Sequence, residues 1–184
     1  RTRARGQARN TASALQLSCG VGWRTELDAS LTWARESAER ERGASVNAKT
    51  TLRERTDDAV GWALGVGLDA RRLAGGRWQH SENRLELEAS YQLGSAWLLE
   101  AALGTARDRI ERRSSTLWGL ALEFAWNEAI ELRAETGGTD RDKPLVEVGL
   151  RYTIMEDLRL KLSFATRAGA TRERTTALSL QFEF

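Results

Sequence analysis

The residues with the most chemistry to offer recur at every second position. Glu86 and Glu88, with Glu100 and Glu123 in later segments, form an acidic set. Glu131, Arg133 and Glu135 alternate in sign, and Glu147, Arg151, Arg159 and Lys161 shift the balance toward basic. Side chains two apart on an extended strand point to the same face, so each set can share one surface. Opposite charges on such a surface either set up a transverse field for a permeating solute or pair with one another and fill the interior. Asp28, Lys49, Arg53 and Asp69 carry the pattern into the early segments. There Gly20, Gly22, Gly61, Gly65 and Gly67 leave the same parity nearly bare. A bare wall accommodates a plug or an inserted segment, or only relieves strand curvature.

Catalytic and metal chemistry find little material. His80 is the single histidine, followed by Ser81, Glu82 and Asn83 in a segment read as a loop. A nucleophile and its base need direct hydrogen-bonding reach and an oriented third group, which neighbours in one loop rarely provide. One histidine and one cysteine, Cys19, cannot make a zinc site, and there is no glycine-rich phosphate loop. The expectation is therefore a non-enzyme with no cofactor. Basic residues are interleaved with acids rather than grouped with stacking aromatics, which argues against nucleic acid as a partner.

The elements that position these residues follow from the apolar side chains between them. Runs such as Val60, Trp62, Leu64, Val66, Leu68 and Val146, Val148, Leu150, Tyr152, Ile154 keep a strict period of two. The last run, Leu178, Leu180, Phe182 and Phe184, is separated by Ser179, Gln181 and Glu183. A helix would scatter these positions around a cylinder, and only pieces such as Ala34 to Arg42 leave room for one. The pattern predicts about eleven strands of roughly ten residues, the length a tilted strand needs to cross a bilayer. No run of about 18 apolar residues exists. The mean hydropathy of -0.50 and the 29% of charged residues in 184 suit strands whose two faces average out. Short connections are expected at Arg24 to Glu26, Arg55 to Asp58, Gly94-Ser95, Asn127-Glu128 and Met155 to Asp157. Longer charged ones are expected at Arg35 to Ala44, Arg71 to Asn83, Arg107 to Ser115, Gly137 to Lys143 and Arg167 to Arg174.

With this alternation, and with a terminal strand ending on Phe184, the chain resembles Gram-negative outer-membrane β-barrel proteins. The resemblance covers the chain after about residue 11 and does not specify a subfamily. It implies an all-β, antiparallel up-and-down transmembrane barrel over residues 11–184, preceded by a basic segment or outer-loop remnant at residues 1–10. It also implies an outer-membrane location with the C-terminus in the periplasm, and recognition of the last strand by the barrel-assembly machinery. Trp23, Trp62, Tyr91, Trp97, Trp126, Tyr152 and Phe184 lie on the apolar parity near short turns or the C-terminus, as a girdle at the membrane interface would. Trp33, Trp118 and Phe164 mark the other rim; a soluble sandwich would keep such rings in its core.

Two expectations follow from that frame. An odd count is awkward for a bacterial barrel, so a further strand is expected from a preceding segment, a cleaved chain or a neighbouring subunit, unless the count itself is off. The long connections carry Arg71, Arg72, Arg107, Arg109, Arg112 and Arg113 toward the outer leaflet. Guanidinium groups grip phosphate through paired N–H donors, so these residues are candidates to face lipopolysaccharide, or else form a solvated rim with neighbours such as Asp108. The function this frame predicts is a channel or translocation pore for a polar solute or polymer. The alternative is a filled barrel that anchors a periplasmic or surface partner.

Overall fold

The computed structural model describes residues 11–36, 39–56, 59–73, 75–155, 158–167 and 173–182, and everything below concerns these. They form eleven strands: β1 (Thr11–Gly22), β2 (Thr25–Glu36), β3 (Glu39–Arg53), β4 (Gly61–Leu73), β5 (Gln79–Leu93), β6 (Trp97–Asp108), β7 (Arg113–Ala125), β8 (Ile130–Thr139), β9 (Leu145–Met155), β10 (Leu158–Arg167) and β11 (Glu173–Phe182). Each is a neighbour of the next in one sheet ordered β1 through β11. The expected number of strands and their up-and-down order are therefore present. The basic segment at residues 1–10 lies outside the described residues.

Several connections differ from expectation. The stretch Arg35 to Ala44, read as a loop with room for a helix, instead continues the β2–β3 ladder, which pairs Thr32 with Gly43 and runs on to Glu36 opposite Glu39. Arg71 and Arg72 lie on β4 and His80 on β5, not in a loop. Arg107 ends β6 and Arg113 opens β7, while Gly137 and Gly138 belong to β8. The cause is common to all: backbone N–H and C=O groups pair whatever side chains they carry, so a ladder continues after its apolar face has ended.

Turn chemistry is equally specific. Trp23 and Arg24 close the β1–β2 hairpin with φ of 50° and 56°, the left-handed pair that a two-residue hairpin turn requires. The glycine parity is not bare throughout. A Cβ on Gly67 would sit 2.6 Å from Asn47 Oδ1 and 3.3 Å from Arg84 Nε, so this glycine makes room for two polar side chains from neighbouring strands.

The strands fall into two compact units. One comprises Arg1–Thr50, Gly65–Leu85 and Ala106–Ser114; the other comprises Thr51–Leu64, Glu86–Thr105 and Ser115–Phe184. Within the second, register aligns Leu132 with Leu150, Leu150 with Leu162, and Leu162 with Leu178. This row is exposed: 38%, 38%, 48% and 70% along the series.

The polarity of the sheet is inverted relative to a water-soluble protein. On β9, Val146, Val148, Leu150 and Tyr152 are exposed, while Glu147 and Arg151 between them are half-buried. The most enclosed side chains are small, Ala63, Ala106, Ala121, Ser163 and Ala165, and no large side chain is fully buried among the described residues. A soluble domain of this length would bury its leucines and tryptophans.

Candidate functional site: the charged face of the sheet

The charged side chains lie on the less exposed face, where neighbouring strands bring them within reach. Glu86, Glu88, Glu100, Glu123, Glu131, Arg133, Glu135, Glu147, Arg151, Arg159 and Lys161 are all half-buried. In the second unit they gather around Arg133. Its Nη1 donates to Glu100 Oε2 at 2.9 Å and also to Glu123 Oε1; its Nε donates to Glu135 Oε2 at 2.7 Å. Carboxylates from β6, β7 and β8 thus converge on one guanidinium, and the cluster keeps a net negative charge.

Register explains the remaining pairs. Arg151 and Lys161 face each other across β9 and β10, and Glu135 faces Glu147 across β8 and β9. Like charges directly opposite are unfavourable. Each turns to an opposite charge instead. Arg151 Nη1 donates to Glu131 at 2.6 Å, Lys161 Nζ lies 3.6 Å from Glu147, and Glu135 is held by Arg133. The face is a lattice of alternating sign rather than a band of one charge.

The first unit has its own cluster, around a residue that the sequence reading did not select. Arg84 Nη2 lies 3.1 Å from Asp69 Oδ2 and donates to Asn47 Oδ1 at 3.3 Å. Arg84 shares the parity of Glu86 and Glu88, which was the available sign of its position. Asp28 accepts from Ser18 across the β1–β2 ladder, and the Ser30 and Ser45 hydroxyls are 2.7 Å apart.

On the opposite face Trp62, Tyr91, Trp97, Trp126 and Tyr152 are all exposed, as is Trp23 in its turn. Trp97 and Phe124 lie 4.4 Å apart between ring centroids, and Phe124 and Trp126 meet edge to face at 6.2 Å. Phe184 lies outside the described residues. His80 is exposed, and its Nε2 lies 3.2 Å from the Glu82 carbonyl.

The β6–β7 hairpin has a compact frame. Asp108 Oδ1 accepts from the backbone N–H of Ile110 at 2.7 Å and of Glu111 at 2.8 Å. Arg112 takes φ of 57° to return the chain into β7. The Glu111 hydrogen bond, with that from Ile110 and the charges of Arg71 and Arg113, holds the Asp108 carboxyl below its ordinary value. A depressed carboxylate lends its stabilisation above the unfolded-state value and loses it as pH falls through the folded one. The amide resonances of Ile110 and Glu111 should therefore titrate together, with a midpoint below the ordinary aspartate value. A midpoint at or above that value would mean that Asp108 does not hold this turn in solution.

A family model described as "Uncharacterised conserved protein UCP029691" matches residues 3–178. No curated protein matches the chain. Among solved structures the chain is similar to the KdgM porin, at 12% identity with a TM-score of 0.71, over 94% of this chain and 92% of that one. It is similar to the NanC porin at 9% identity with a TM-score of 0.72, over 96% and 95% of the two chains. The β domain of the Bordetella autotransporter Brka gives 15% identity and a TM-score of 0.53, over 95% and 91%. Identities this low establish a shared fold, that of antiparallel porin-like barrels.

Proposed function

The chain belongs to the family of Uncharacterised conserved protein UCP029691, and from its fold and its inverted sheet polarity we propose that it is a channel for polar solutes in the bacterial outer membrane. One observation carries this reading. The leucine row Leu132, Leu150, Leu162 and Leu178 is exposed, while Arg133, Arg151 and their carboxylates on the other face are shielded. Exposed leucines in register want hydrocarbon around them; shielded charges want a polar interior.

In this reading the charged face lines the solute path. Glu100, Glu123 and Glu135 around Arg133, the Glu131–Arg151 pair and the Glu147–Lys161 pair present closely spaced charges of both signs. A permeating solute with its own charges or hydroxyl groups exchanges water for these groups without meeting a single large barrier. The aromatic residues anchor the strands at the membrane interface. The last strand, with the C-terminus toward the periplasm, engages the barrel-assembly machinery during insertion.

The test is electrical. Purified chain in planar lipid bilayers should give discrete, stepwise conductance in potassium chloride. A protein that inserts, as judged by protection from protease, and yet stays silent across a range of voltages would sink the channel reading.

A further inference from the structure

Most arginines with described partners on the strands are matched to an acid. Arg84 lies against Asp69, Arg133 against three glutamates and Arg151 against Glu131. The β6–β7 hairpin breaks that pattern. Arg107, Arg109 and Arg112 line one open cleft of about 380 Å³ together with Asp108. That volume lies within the range of ligand pockets, about 300–1,000 Å³. Among the described residues no carboxylate forms an ion pair with any of these three guanidiniums.

The acids near the cleft are already engaged. Asp108 spends one oxygen on the Ile110 and Glu111 amides, and Glu111 lies 3.4 Å from Arg113 Nη1. The backbone beneath the cleft is fixed as well. Arg109 N–H donates to the Ser81 carbonyl at 2.7 Å, which ties the hairpin to the start of β5. Arg112 sits in left-handed backbone, φ 57°, where an arginine is more strained than a glycine. A strained backbone at one of three arginines that line a single cleft invites a counter-ion. Several guanidinium forks around one point suit a tetrahedral dianion, because each offers paired N–H donors to oxygen.

We propose that the β6–β7 hairpin cleft is a phosphate-binding site in which Arg107, Arg109 and Arg112 are the ligands. The phosphate is either free in solution or the headgroup of a lipid. Arg107 shares its strand parity with Leu103, which is 63% exposed on the apolar side of β6.

This goes beyond the channel reading and is tested separately from it. The folded 184-residue chain in detergent is titrated by calorimetry with inorganic phosphate, against chloride at equal ionic strength. It is also floated with phosphatidylcholine vesicles that contain or lack lipid A. Tighter binding of phosphate than chloride is expected. So is a loss of at least about tenfold in Arg109→Ala/Arg112→Gly, since charge-assisted hydrogen bonds are removed. That variant should remain folded, because glycine suits the backbone at position 112. Arg109→Lys/Arg112→Lys keeps the charge but not the forks, and should bind phosphate more weakly than the parent.

Lipid A dependence that free phosphate competes away assigns the site to a headgroup; phosphate binding indifferent to lipid A assigns it to a solute. Phosphate held no better than chloride, with no response to lipid A, overturns the proposal. So does a folded glycine variant that binds like the parent. Bilayer conductance in Arg109→Ala/Arg112→Gly should be unchanged, which keeps the two readings apart.

Discussion

An Arg133→Ala chain should be less stable than the parent by about 2 kcal/mol, and its channels should become more permeable to cations. The stability loss comes from stranding Glu100, Glu123 and Glu135 beside one another with no positive charge among them. Breaking a fully buried ion pair costs about 3–5 kcal/mol. The smaller figure reflects water access, since the Arg133 side chain is 30% exposed and that of Glu123 is 17% exposed. The permeability change comes from the same three carboxylates, which would draw cations into the space the guanidinium left. Urea unfolding in vesicles measures the first, and the reversal potential in a potassium chloride gradient the second. Arg133→Ala/Glu123→Gln should recover part of both, because residues joined in one network do not act additively. A single variant that keeps the parent's reversal potential would place the cluster away from the solute path.

Leu150→Arg should cost about 2–4 kcal/mol of folding free energy in lipid vesicles, the cost of a lipid-facing arginine near the middle of a membrane barrel. Leu150 stands between Leu132 and Leu162 in register, so the guanidinium would have apolar neighbours on both adjoining strands and hydrocarbon in front. In a water-soluble sheet the same position, 38% exposed, would tolerate the change within about 0.5 kcal/mol. Equilibrium folding of the parent and variant in vesicles distinguishes the two. A difference near zero would remove the membrane from the account of this protein, and the channel with it.

The sequence disclosed the strands through side chains and concealed their ends for the same reason. Leu27, Ala29, Leu31 and Trp33 announce β2 because one face is apolar and the other is not. From Arg35 to Glu41 only Ala38 is apolar, the alternation fades, and yet the ladder continues to Glu36 opposite Glu39. Strands therefore looked shorter, and connections longer, than they are. The shared face of Glu131, Arg133 and Glu135 was legible from spacing alone. That Arg133 would also collect Glu100, 33 residues away, was not, since register across β6, β7 and β8 is set by pairing and not by the local pattern. Asp108 is legible in sequence only as an acid in a polar rim, because nothing in the local pattern marks a side chain that caps its own turn.

The Trp23–Arg24 turn bears on how the chain acquires its structure. A fast-closing hairpin would place asparagine and glycine at these two positions, where left-handed backbone is least costly. Here a tryptophan and an arginine take that conformation, at about 1–2 kcal/mol each. The β1–β2 hairpin is thus costly to close at its apex, and the pairing of its strands must offset that cost. The β7–β8 turn is built differently: Asn127 Oδ1 accepts from the Ala129 and Ile130 amides and so tightens it from within. The β1–β2 hairpin therefore closes at a higher local cost than the β7–β8 hairpin, with Trp23 at its apex 97% exposed.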